Sequence, residues 1–222
     1  MGNTKVLVMD FMNYQKILDE IIAKNQLNNL VPKLLIHSCC APCSSYCLEY
    51  LSEYFDITVL YYNPNIFPAD EYQYRAAEQK RFIEEFPAKH PIKFMEAPYT
   101  PEDFYEIAKG YEHVPEGGER CTRCYRLRLE YTAKVAKEME MDYFTTTLSI
   151  SPLKDATRLN TIGSELSAIY EVPYLTSDFK KRNGYKRSVE LSHEYNMYRQ
   201  DFCGCVYSMN EATERRKQKE NS

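Results

Sequence analysis

Eight cysteines stand in this sequence, and seven of them fall into three short groups able to do chemistry. Cys39, Cys40 and Cys43 lie in the stretch SCCAPCSSYC, which Cys47 completes. Cys121 and Cys124 form a C-x-x-C pair, and Cys203 and Cys205 a C-G-C pair. A thiolate is a nucleophile and a soft metal ligand, and two thiols together store two electrons. Cys39 and Cys40 fall where a strand meets a helix, so free N–H groups and the helix positive end are expected to lower both pKa values. A C-x-x-C that opens a helix is a redox pair, half a zinc site or half a cluster site. The side chains of adjacent cysteines diverge, which suits a compact zinc knuckle poorly. A cubane with its irons spread apart accepts such a pair better. The sequence therefore favours an iron–sulfur centre on Cys39, Cys40, Cys121 and Cys124. Two alternatives stand beside it: a metal-free thiol–disulfide oxidoreductase and a binding module with structural zinc. Cys203-Gly204-Cys205 can close a small strained disulfide, the labile and redox-active kind. Cys43, one helical turn after Cys40, either faces the cluster, helps to hold a second metal, or packs. Cys47 reads as a small buried hydrophobe.

Strands alternating with helices must position these thiols. Lys33 to Ser38, Ile57 to Tyr62, Ile92 to Met95 and Tyr143 to Leu148 read as strands, and Val172 to Leu175 as one more short one. Helices are expected over Tyr14 to Lys24, Cys43 to Tyr54, Glu71 to Phe86, Pro101 to Ala108, Cys121 to Lys137 and Asn160 to Tyr170, with helical character near 188–200. Such alternation predicts an α/β fold with a parallel sheet covered on both faces. In these sheets the site lies beyond the carboxyl ends of the strands. Cys39-Cys40 and the segment SISPLK (149–154) both fall there. Residues 1–32 read as a helical extension, 33–208 as a single catalytic domain and 209–222 as a polar, frayed tail.

At 222 residues the chain holds one sizeable domain, and 44% apolar with 27% charged residues is an ordinary globular composition. No apolar run reaches the roughly 18 residues that cross a bilayer, so no membrane span is expected. The N-terminus MGNTKVLVMDFMNYQ lacks the pattern of a secretory signal, and Val6 spoils a myristoylation motif at Gly2. A cytoplasmic location follows as an expectation, and there the thiols stay reduced. The net charge of −4 argues against coating nucleic acid by bulk charge, though not against a local basic patch.

Five stretches carry a resemblance to a known family: LLIHSCCAPCSSYCLEYL (34–51), ITVLYYNPNIFPADEYQYRAAEQKRF (57–82), GGERCTRCYRLRLEYTA (117–133), FTTTLSISPLKD (144–155) and SDFKKRNGYKRSVELSHEYNMYRQDFCGCVYS (177–208). Together they resemble the QueH-type epoxyqueuosine reductases. The resemblance implies reduction of the epoxide of epoxyqueuosine, at the wobble position of tRNA, to queuosine. It implies a [4Fe–4S] cluster on Cys39, Cys40, Cys121 and Cys124, and a redox-active pair in Cys203 and Cys205. It also implies a Rossmann-like sheet of the adenine-nucleotide alpha hydrolase (PP-loop) type, whose first turn normally holds phosphate with S-G-G-x-D-S. Here that turn reads SCCAPCSS, and thiols replace its glycines, which argues against ATP chemistry.

Converting an epoxide to an alkene needs two electrons and two protons, so a redox cofactor and an electron donor of unspecified identity are required. An additional iron on Cys43 and a carboxylate would bind the epoxide oxygen; Tyr61, Tyr62, Asn63 and Asn65 are candidates to hold the base or protonate the oxygen, while half-buried packing is the favoured reading of the tyrosines. For the tRNA, the run 178–187 offers Lys180, Lys181, Arg182, Lys186 and Arg187 against one acid, and Arg123, Arg126 and Arg128 lie beside the C-x-x-C. Basic residues interleaved with aromatics suit an anticodon loop. His37 reads as a satisfied core histidine.

Overall fold

The computed structural model describes residues 12–220; the N-terminal stretch read above for targeting signals, Gly2 and Val6 included, lies outside them. Four strands form one parallel sheet: β1 (Lys33–His37), β2 (Asp56–Tyr61), β3 (Lys93–Glu96) and β4 (Tyr143–Thr146). Their order is β3-β2-β1-β4. The chain runs outward from β1 to β3 and then returns to the other side of β1. The strand order thus reverses between β1 and β4, and the crevice above that point is where open α/β sheets bind ligands.

The pleat of β1 separates two cores. Leu34 and Ile36 face one side, with Leu18 and Ile22 of α1 (Tyr14–Leu27), Leu48 and Leu51 of α2 (Ala41–Leu51), and Phe82 of α3 (Ala69–Glu85). Leu35 faces the other, with Leu129, Ala133 and Ala136 of α5 (Glu119–Glu138) and Leu159, Ile162 and Leu166 of α6 (Ala156–Tyr170). Alternation along the strand and i, i+4, i+7 spacing along α5 produce these two apolar faces. Burial of each leucine stabilises by about 1.5–3 kcal/mol. The remaining helices are α4 (Pro101–Ala108), α7 (Gly184–Glu194) and α8 (Val206–Glu220).

Three local expectations shift. The stretch YFTTTL is strand only to Thr146; a single 3-10 turn, Thr147–Ile150, follows, with the Thr146 hydroxyl accepting from the Leu148 N–H. The segment near Val172 contributes one isolated parallel bridge, Phe144 to Tyr174. The tail expected to fray is helix α8. Ala212 is buried and Arg120 pairs with Glu211 at 3.5 Å, so tertiary contacts hold a helix that is too polar to announce itself. Among the described residues, no helix is long and apolar enough to cross a membrane.

Candidate metal and redox site

Cys39 and Cys40 sit just past the carboxyl end of β1, and Cys40 is the N-cap of α2 with extended backbone. Their turn is fastened from three directions. The Ser38 N–H donates to Leu60 O at 3.0 Å. Asn63 Nδ2 donates to Ser38 O at 2.8 Å. The hydroxyls of Ser38 and Ser44 both donate to Gln79 Oε1 of α3, at 2.6 and 2.9 Å. The backbone and hydroxyl groups of this turn are thus engaged by β2, Asn63 and Gln79.

The structure draws Cys43 into the group. The sulfurs of Cys39, Cys40 and Cys43 all lie within 4.8 Å of one another, with Cys39 and Cys40 3.8 Å apart. Metal–sulfur bonds of about 2.3 Å give a coordination tetrahedron with edges of about 3.8 Å, so this triad can hold a metal ion. Only one of the adjacent pair is acidified. Hydrogen bonds from Cys39 and Cys43, helped by the charge of Arg75, bring Cys40 well below the ordinary thiol value. Cys39, raised mainly through its hydrogen bond with Cys40, and Cys43, raised by Cys39 and Cys40, keep their protons. The directions diverge because the three close sulfurs hydrogen-bond to one another, so a proton lost from one is held by the others.

Cys121 and Cys124 begin α5. Gly117, at φ +86, turns the preceding loop through the left-handed region and donates its N–H to Cys121 Sγ at 3.2 Å. Buried Arg120 fixes that loop by donating to the carbonyls of Tyr111, Glu112 and Val114, and its guanidinium lies 4.4 Å over Tyr207 of α8. Cys121, Cys124, Cys203 and Cys205 line a small cavity of about 10 Å³ together with Arg128 and Asn65. Burial raises Cys124 to about 12 and also pushes Cys205 up.

The C-G-C turn is built around Gly204, at φ +127. A Cβ there would lie 3.0 Å from Ile66 Cγ1 and 3.1 Å from Arg75 Nη1. Arg75 Nη1 donates to Cys203 O at 3.3 Å, and the Phe67 N–H to Gly204 O at 2.8 Å. Ser208 Oγ accepts from the Gly204 N–H at 3.3 Å.

The expected cluster ligands have these neighbours. Cys39 and Cys40 group with Cys43, while Cys121 and Cys124 face Cys203 and Cys205. Cys203 joins the halves, because it also lines a larger cavity of about 250 Å³ with Cys39 and Cys43. Cys47 is fully buried and packs in the core.

Three cations surround the sulfurs. Arg128, 1% exposed, donates only its Nε, to Cys124 O at 3.2 Å; among the described residues both terminal nitrogens lack a partner. Burial opposes its charge, and Cys124, Cys203 and Cys39 favour it once their sulfurs are ionised. Arg75, 1% exposed, pairs with Glu71 at 2.7 Å and leaves Nη2 unpartnered. Half-buried Lys154 lines the larger cavity; burial opposes its charge, and Cys203 and Cys39 favour it once their sulfurs are ionised. A buried guanidinium with idle donors costs free energy unless an anion meets it. A thiolate-ligated metal group is such an anion, so the residues present fit one.

The comparisons with known proteins bear on the same residues. The family model described as "Epoxyqueuosine reductase QueH" matches residues 34–211, a span containing all eight cysteines. This chain belongs to the QueH family. Proteins named epoxyqueuosine reductase QueH are similar to it in Staphylococcus epidermidis (46% identical over 201 residues, 89% of this chain and 84% of that one) and in Streptococcus pyogenes (45% over 199 residues, 89% and 78%). Another, from Thermotoga maritima, is 35% identical over 188 residues, 82% of this chain and 93% of that one. QueH membership makes the chain one of a set of oxidoreductases.

Sequence reasoning overlooked Arg75 and Gln79, and took Arg128 only as a basic residue beside the C-x-x-C. A signal for two of them exists: Arg75 and Gln79 share the inner stripe of α3 with Tyr72 and Phe82, all buried. Arg128 lies one turn after Cys124 on α5. Of the other candidates, His37 is a satisfied core residue, bonded to Thr146 Oγ1 at 2.9 Å and Tyr62 O at 3.1 Å. Tyr61 donates to Tyr72 O at 3.4 Å and Tyr62 to Asp103 at 3.0 Å, so both are occupied in the structure. The expected RNA contacts are mostly tied to acids: Lys180 to Asp178, Arg182 to Asp19, Lys186 to Glu190, Arg187 to Glu49, Arg123 to Glu119 and Arg126 to Glu165. Lys181 has no ion pair among the described residues.

Proposed function

We propose that this chain reduces the epoxide of epoxyqueuosine, at the wobble position of a tRNA, to the cyclopentene of queuosine. The observation that carries this reading is the QueH match over residues 34–211, with the triad Cys39, Cys40 and Cys43 inside it. Cys39, Cys40, Cys121 and Cys124 would hold a [4Fe–4S] cluster, which supplies electrons one at a time when bound. The triad geometry favours a share for Cys43 in metal binding, whether toward that cluster or an additional iron.

The chain's own groups account for the remaining needs. Breaking both C–O bonds of the epoxide takes two electrons and two protons and releases water. Cys203 and Cys205, oxidised from dithiol to disulfide, release that number of each, and an external donor of electrons restores them. Gly204 permits the turn that brings the two thiols together, and Arg75 fixes it through Cys203 O. The cavity of about 250 Å³ lets a base approach Cys39, Cys43 and Cys203 at its buried end. Lys154 places an ammonium in that cavity, where it stabilises charge developing on the departing oxygen.

The test is nucleoside analysis of tRNA from a strain lacking this gene. Epoxyqueuosine accumulates there and returns to queuosine when the wild-type chain, but not Cys39→Ala, is restored. Unchanged queuosine in a strain without a second reductase removes the assignment.

A further inference from the structure

The run 178–187 is the most basic in the sequence, yet the fold neutralises most of it through the carboxylates named above. Charge already paired within the protein is a poor source of affinity for phosphate, because the pair must be broken first. The rim of the larger cavity has the opposite character. Arg215, on α8, is exposed and makes neither a hydrogen bond nor an ion pair among the described residues. Arg199 is exposed and meets only neutral acceptors, Ser192 Oγ at 2.8 Å and Ser188 O at 3.4 Å. Of the two acids lining the cavity, Asp201 is engaged by Arg216 through both oxygens and also feels the charge of Arg215, while Glu116 forms no ion pair with Arg199 or Arg215 among the described residues. Two large side chains stand out beside these cations: Leu153 is 77% exposed and Tyr185 41%. Free positive charge interleaved with exposed flat or apolar surface is the chemistry that holds single-stranded nucleic acid.

The rim leads to the thiols. Cys39 is buried and Cys43 half-buried in the lining of the same cavity, whereas Arg199, Arg215, Leu153 and Tyr185 are exposed, so a base entering from solvent meets these four first. We infer that this rim, rather than the basic run 178–187, grips the RNA: Arg199 and Arg215 take the phosphates flanking the inserted nucleotide, and Leu153 and Tyr185 stack on its neighbours. The inference rests on the tRNA reductase reading and adds where the loop is held. The stacking pair confers sequence-tolerant affinity, and the guanidinium pair sets the register that brings one nucleotide into the cavity.

The experiment is equilibrium binding of epoxyqueuosine-containing tRNA to anaerobically prepared protein across a salt series. Arg215→Gln is solvent-exposed and leaves the fold intact; Arg199→Gln is checked by thermal melting, since it bonds to α7. Each is expected to weaken binding about 5–10-fold at low salt and to reduce the slope of log affinity against log salt by about 0.7, the value for one single-strand phosphate contact. Leu153→Ala with Tyr185→Ala weakens binding about 10-fold or more without changing that slope. The double variant Lys181→Gln, Lys186→Gln changes affinity less than about 2-fold. Wild-type slope in both arginine variants, or a larger loss in the lysine variant, overturns the inference. A wild-type protein that does not bind the tRNA overturns it together with the reductase reading. Binding that follows the stated pattern while the epoxide stays intact overturns the reaction assignment alone.

Discussion

Replacing Arg128 with methionine separates a group that serves the sulfur site from one that serves the fold. The methionine keeps an unbranched side chain and removes the charge. Arg128 is 1% exposed, makes one hydrogen bond and leaves two terminal nitrogens unpartnered. Each idle buried donor costs about 1–3 kcal/mol, and the bond that would be lost is worth about 1 kcal/mol. In metal-free protein the substitution is therefore neutral or stabilising by about 1–4 kcal/mol, as for other buried charges exchanged for apolar groups. For a chain of this length that raises the melting temperature by up to about 10 °C. In metal-loaded protein the sign reverses. Charge-assisted hydrogen bonds of about 1.5–3 kcal/mol are lost, and affinity for the metal group falls about 10–100-fold. The assay is thermal melting of both proteins, stripped and loaded, with iron content after dialysis against a chelator. If Arg128→Met destabilises the stripped protein as much as the loaded one, Arg128 is a packing residue and the argument from its idle donors is wrong.

Other consequences follow from the same geometry. Cys43→Ala lowers the metal content, whereas Cys47→Ala costs about 1–2 kcal/mol of stability and leaves the metal in place; metal analysis with a melt tells them apart. Gly204→Ala forces a side chain into the left-handed region against Ile66 and Arg75, costing about 1–3 kcal/mol, and slows oxidation of Cys203 and Cys205 as followed by thiol titration. His37 is lowered to about 3 in the folded chain, by burial first and the charge of Arg128 second, from 6.5. The unfolded chain then binds the extra proton between these values, so stability is lost as pH falls below about 6.5, at up to about 1.4 kcal/mol per pH unit. His37→Gln, melted between pH 7 and 5, flattens that slope; an unchanged slope assigns it to other groups.

The sheet and its surrounding helices were legible because the physics is local. Leu34, Leu35 and Ile36 form a continuous apolar run, and such runs broken by turn residues are what a doubly covered parallel strand requires. The placement of Cys39-Cys40 at a strand end followed from that. What stayed hidden depended on partners distant in sequence. Glu49 and Asp19 neutralise Arg187 and Arg182 from residues more than a hundred positions away, and no reading of 178–187 alone finds them. Helix α8 escaped for a similar reason, since Arg120 of α5 holds it through Glu211. Cys43 was left open between three roles, because a residue at N3 of a helix points into the site or away depending on where the helix begins. That start, at Ala41, decides it.

Metal-centred reduction is the central claim, and iron, zinc and sulfide analysis of protein made without oxygen tests it most directly. The account predicts a brown protein with about four irons or more per chain, matching sulfide and no stoichiometric zinc. A colourless, iron-free preparation that still converts epoxyqueuosine in tRNA to queuosine would contradict it.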